Sequence, residues 1–115
     1  MSVNTSKLTE LDVTVGTATS TAAAATINNQ VGLVTTEALV TAAAATYSFT
    51  LTNSLINASS VVLVTVGKGT ATTGEPAVHF VTPAAGSAVI AIRNDAAAAA
   101  LNGTIKIGFV VFNLT

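Results

Sequence analysis

A single histidine, His79, stands in the 115-residue chain, so general-base chemistry at neutral pH must start from it or from a perturbed carboxylate. It falls inside Ala77–Thr82, an alternating stretch in which a strand sends Val78 and Phe80 to one side and His79 to the other. A working base needs an orienting partner and a nucleophile. Ser87 and Asp95 have the right chemistry, but nothing in the sequence groups them with His79, which therefore reads as an exposed or hydrogen-bonded structural residue. The acids Glu10, Asp12, Glu37, Glu75 and Asp95 are scattered singly, with no calcium-loop spacing. Glu75 with Asp95 across a loop is the one pairing left open. The segment VGKGT at 66–70 places a Gly-Lys pair in a turn between strands, without the spacing or the following helix of a phosphate loop. Cysteine is absent, which removes disulfides, thiolate chemistry and Cys-based zinc sites together. Asn-X-Ser/Thr triplets at Asn4, Asn57, Asn102 and Asn113 are what chance gives in a chain rich in Thr and Asn. The inventory names no catalytic, cofactor-binding or metal-ligating residue. The expected class is non-enzymatic, with no cofactor and no small-molecule substrate.

Charge is the compositional oddity. Charged residues make up 8% of the chain and hydrophobic ones 50%, where about 25% charged is usual. Four basic and five acidic side chains must serve the whole surface. Soluble monomers stay apart through mixed surface charge, so two readings stand: a neutral Thr-rich surface, or a surface covered by neighbours in an obligate assembly. A net charge of −1 offers no basic footprint for nucleic acid. No apolar run approaches the roughly 18 residues of a membrane helix. The polar start, SVNTSKLTE after Met1, lacks the basic and apolar regions of a secretory signal.

The elements that must position these residues are strands. Residues 1–10 lack periodicity and read as a flexible or partner-ordered arm, leaving 11–115 as one domain. Alternation marks Leu11–Val15; Tyr47, Phe49 and Leu51 against Ser48, Thr50 and Thr52; and Ser87–Arg93, which buries Ala88, Ile90 and Ile92 or, after a one-residue slip, the opposite set. Val61–Val66 is apolar on both faces, which predicts a central strand or one lying under a partner. Leu33–Val40 and a piece near Ile27 complete seven or eight strands. The six residues TAAAAT occur at 21–26 and again at 41–46, each leading into a β-branched or aromatic residue. Helix is allowed at most as a turn at Asp95–Leu101, capped by Asn94 or Asp95 and ended by Asn102-Gly103. Short strands punctuated by Gly67, Gly69, Gly74, Pro76, Pro83 and Gly86 predict an all-β fold. Its expected form is an antiparallel β-sandwich, with a jelly roll as one arrangement, or else a small closed barrel.

The last strand carries the sharpest site hypothesis. In Thr104–Phe112, Ile105, Ile107, Phe109 and Val111 share the inward face; the outward face begins with Lys106 and Gly108 and then turns apolar at Val110 and Phe112. A monomer gains nothing by exposing those two, so Val110 and Phe112 are assigned to a subunit interface. The alternative is a bulge near Gly108 that turns them into the core. Sheet edges in a chain with three Lys and two Pro also need cover, for which a closed homotrimer is the expected solution.

The segments GLVTTEALVTAAAATYSFTLTNSLINASSVVLVTVG and VTPAAGSAVIAIRNDAAAAALNGTIKIGFVVF resemble a recurrent β-domain of small virion proteins of tailed bacteriophages. The likeness rests on a strand ending in Arg93-Asn94, then Ala-Leu-Asn-Gly-Thr at 100–104, then Ile-Lys-Ile-X-Phe, and spans about 80 of the 115 residues. The family includes free head decoration (cement) proteins and parts of longer fibre or spike proteins. The resemblance implies a capsid decoration protein, made in the host cytoplasm, that sits on the capsid exterior of the virion. Its partners would be the major capsid protein and its own copies. A fibre, spike or host-recognition module is the alternative.

Overall fold

The computed structural model describes residues 14–113. Eight strands follow in order: β1 (Val15–Thr19), β2 (Ala24–Thr26), β3 (Val31–Thr35), β4 (Thr46–Thr52), β5 (Val61–Lys68), β6 (Pro76–Ala84), β7 (Ser87–Asn94) and β8 (Ile105–Phe112). They form two packed four-stranded sheets, β1-β3-β8-β5 and β2-β4-β7-β6. The fold is all-β and sandwich-like, with no helix among the described residues. The arm expected at 1–10, and Leu11, Asp12 and Val13 of the first expected strand, lie outside the described residues.

Inward faces follow the alternation. Phe49, Leu51, Ala88, Ile90, Ile92, Ile105 and Ile107 have no solvent exposure, and Phe109 and Val111 almost none. Tyr47 is half-buried beside them. Burying each large side chain contributes about 1.5–3 kcal/mol, which is what the two facing sheets supply. Gly32 is required by this packing: the Phe109 ring lies where its Cβ would be, within 2.4 Å.

Five expectations need correction. The sandwich is mixed, because β1 pairs parallel with β3 and β2 with β4. Parallel pairs need long returns, and the residues between each pair leave the sheet before re-entering it. Of the two places expected for Val61–Val66 the central one falls, since β8 occupies the central place and leaves β5 at the edge. The strand expected at Leu33–Val40 runs over Val31–Thr35, and Leu39 keeps only one bridge, to Gly103. Residues 95–101 form a loop because Asn94, fully buried, draws the local backbone to its side chain. Its Oδ1 accepts from the Glu75 and Ala96 N–H groups, and its Nδ2 donates to the Thr41 and Ala99 carbonyls. Finally, a bulge between Val78 and Phe80 sets Val78 opposite Ile92 and Phe80 opposite Ala91. These two side chains therefore leave opposite faces of the sheet, contrary to simple alternation.

Both TAAAAT copies enter strands through left-handed backbone. In the first, Thr21 and Ala24 exchange both main-chain hydrogen bonds (2.9 and 3.1 Å) around Ala22 and Ala23, whose φ values are 50° and 62°. A two-residue turn of this hand favours Asn-Gly, and each left-handed alanine costs about 1–2 kcal/mol. The double change Ala22→Asn with Ala23→Gly should therefore stabilise the protein by about 1–2 kcal/mol. Urea unfolding at pH 7 checks this; a midpoint that falls would show that the turn holds no such strain.

Candidate functional site

Where the sequence looked for chemistry, the structure disperses it. His79 lies exposed on β6 with its ring 5.1 Å from that of Phe80. Ser87 sits at the start of β7, paired with Thr52 and Ala84. The Asp95 carboxylate takes the Arg93 Nε–H at 3.0 Å, an exposed pair of little energetic weight. Glu75 and Asp95 do meet, but through backbone, the Asp95 N–H donating to the Glu75 carbonyl at 2.8 Å. Among the described residues no three His, Asp or Glu side chains gather as a metal site.

A polar cluster that sequence reading missed forms between β1, β3 and β4. Glu37 follows β3 and lies between the buried Ser20, just after β1, and Tyr47. Its Oε1 accepts from the Ser20 and Tyr47 hydroxyls, the latter at 3.0 Å, while Oε2 accepts the Ala23 N–H at 2.9 Å. The Glu37 N–H in turn donates to Ser20 Oγ at 3.1 Å. Burial pushes the Glu37 carboxyl up. The bonds from Ser20, Tyr47 and the backbone N–H groups of Glu37 and Ala23 outweigh it and hold the carboxyl below its ordinary value. Burial, with the neighbouring carboxylate, pushes the Tyr47 phenol up to about 12 against the opposing bond from Ser20. A carboxylate so well satisfied is a weak base, and among the described residues no imidazole or amine adjoins the serine. The cluster fastens the left-handed turn at 22–23 to the sandwich, and it has no nucleophile–base geometry.

The other gathering is apolar and lies on the outer face of β1-β3-β8-β5. Val15, Val31, Val110 and Leu63 stand in one row across all four strands. Phe112 and Val61 form the next row on one side, and Thr17, Leu33, Gly108 and Thr65 the row on the other. Beyond lie Thr19, Thr35, Lys106 and Gly67, so one end of the face is apolar and the other polar. Leu63 is 55% exposed, Val15 53%, Phe112 46% and Val61 46%, while Val31, Leu33 and Val110 are half-buried. The missing side chain at Gly108 leaves a shallow hollow of about 340 Å³ between Val31, Leu63, Thr65 and Val110.

Val110 and Phe112 thus lie on the outward face, and β8 pairs with both neighbours without a register shift, so no bulge at Gly108 turns them inward. Their row partners Val15, Val31 and Leu63, and Leu33 in the next row, were not singled out from sequence. The two-sided apolar pattern of VVLVTV was the signal for Leu63 and Val61; Val31 joins them through the antiparallel β3–β8 ladder and Val15 through the parallel β1–β3 ladder. No known protein family, characterised protein or solved structure matches the chain.

The cluster makes a two-sided pH prediction. Stability from a lowered carboxyl is present at neutral pH and is lost as pH falls below about 4.3. Stability from a raised phenol is present at neutral pH and is lost as pH rises from about 10. Glu37→Gln should flatten the acid limb of the unfolding profile, and Glu37→Ala should cost about 1–3 kcal/mol at pH 7. With one Tyr and no Trp, the phenolate absorbance reads Tyr47 alone. A midpoint near 10 in the native protein would remove the cluster from the account.

Proposed function

We propose that this chain is a non-enzymatic structural protein of a virus particle, a decoration (cement) protein that binds the outer capsid lattice and stabilises it. The observation that carries the reading is the apolar outer face of β1-β3-β8-β5, in which six large side chains continue one another across strands in a chain with 8% charged residues. Such a face, centred on Val110 and Phe112, suits burial against another protein. The resemblance of residues 33–112 to phage virion β-domains supplies the kind of partner: the major capsid protein, with further copies of the chain itself. The mechanism is mass action, since a ligand that binds only the assembled lattice stabilises it by its binding free energy, repeated at every site. The reading assigns the protein no reaction, cofactor, nucleic acid or membrane, and places it on the capsid exterior.

A fibre, spike or host-recognition module is the second reading, favoured by one feature. His79 and Phe80, the latter 50% exposed, form an aromatic pair on the opposite sheet.

Phe112→Ser tests the first reading. The variant should fold normally, because the ring is already half-exposed, and should bind particles roughly 10- to 100-fold more weakly, the loss expected for about 1.5–3 kcal/mol of burial. Particles lacking the protein should release their genome at a lower temperature and regain stability on adding the wild type. Full rescue by Phe112→Ser would sink the interface assignment; loss of host adsorption with unchanged heads would favour the second reading.

A further inference from the structure

We propose that β5 is a pairing edge for a second copy of this chain: two β5 strands join antiparallel about a two-fold axis, merging two four-stranded sheets into one. This stands apart from the capsid reading and needs no particle.

The sandwich has four edge strands, β1, β5, β2 and β6, and they are not guarded alike. β6 carries both prolines of the chain, Pro76 and Pro83, and the bulge at His79. β2 is three residues long and β1 five. These are the devices by which natural sheets prevent edge pairing. β5 has none of them. It runs eight residues, VVLVTVGK, pairs with β8 without a register shift, and carries one charge, Lys68, at its very end. Among the described residues no strand forms a ladder on its other side.

Its two faces point the same way. Outward, Val61 and Leu63 are 46% and 55% exposed. Inward, Val62, Val64 and Val66 are only half-buried although they face the core, while the corresponding residues of β8 are buried. The open side continues to Val78 on β6. One added strand would cover the ladder, the outward pair and the inward valines together.

Geometry names the occupant as a second copy. A two-fold axis perpendicular to the sheet keeps outward residues outward, so β5 is its own partner in alternation. With Val64 opposite Val64 of the second copy, residues 61–67 of the two strands overlap and the inward valines are palindromic about the axis, Val62 standing beside Val66 of that copy. On the outward face the row Val15–Val31–Val110–Leu63 then runs on into Thr65 and Gly108 of the neighbour. The two Lys68 side chains fall at opposite ends, about 27 Å apart, so nothing repels. A two-fold contact gives a dimer where edge cover alone suggested a trimer.

Sedimentation of the purified chain at about 50 μM, a range set by ordinary self-association, and amide exchange over residues 62–66 test this. The expected result is a dimer in which consecutive β5 amides all exchange slowly, because alternate ones bond to β8 and to the second copy. Leu63→Lys should give a folded monomer, with self-association at least 10-fold weaker and alternate β5 amides exchanging fast; Val61→Lys serves if that variant fails to fold. Thr17→Lys, on the β1 edge, should remain dimeric. A wild-type monomer or trimer overturns the proposal, as does a dimer that survives both lysine changes on β5. So does a dimer whose alternate β5 amides stay fast, the signature of packing through the apolar face.

Discussion

The register of β8 governs the molecule. It has partners on both sides and large apolar side chains on both faces, and its pairings with β3 and β5 are unbroken. In this register Ile105, Ile107, Phe109 and Val111 fill the space against β4 and β7. A slip of one residue would put Lys106 and Gly108 into the core and the isoleucines into water. Gly32 locks the choice, since it alone leaves room for Phe109. The outer apolar row, the hollow above Gly108 and the placement of Val110 and Phe112 are what that register leaves on the other side.

Alternation was legible wherever a strand has one wet and one dry face. Tyr47–Leu51 and Ile105–Val111 are read correctly from their residues alone; for Ser87–Arg93 the residues leave two sets open, and the structure buries Ala88, Ile90 and Ile92. Val61–Val66 is ambiguous for a physical reason: apolar residues on both faces describe a buried strand and an unguarded edge equally well. The bulge at His79 leaves no composition signal, and it overturns the expected sides of Val78 and Phe80. Parallel pairing of β1 with β3 and β2 with β4 is a property of the chain path. The buried face of a short strand looks the same whichever way its neighbour runs. For the candidate site, the two residues named from sequence are placed on the outward face, but the row they belong to needed the ladder to be seen.

Scarce charge shifts structural work onto amides and hydroxyls. Asn94 ties the 41, 75 and 95–99 segments at one end of the sandwich. Asn53 does similar work at the other, donating to the Asn29 carbonyl at 2.8 Å and accepting the Leu55 N–H at 2.9 Å. Asn102 and Thr104 bind the 69–73 loop through Thr70, Thr72 and Thr73. No buried side-chain polar atom lacks a partner among the described residues. Hydrogen bonds between neutral groups are insensitive to salt and nearly so to pH, which leaves Glu37 and Tyr47 as the ionisable pair through which acidity reaches the fold.

The place of β8 in the chain also has a consequence for synthesis on the ribosome. β4, β6 and β7 lie close together in sequence and complete most of one sheet by Asn94. The other sheet cannot close until Phe112 has left the exit tunnel, because its centre is the last strand and Val31 must find Val110. For the time that about twenty residues take to be translated, β3 and β5 lack the strand that separates them, with their valines in water. Nascent chains on one message are neighbours during that interval. Strand β5, with Lys68 at its end as its one charge, is then the segment through which adjacent chains would first meet, before either has finished its own sheet.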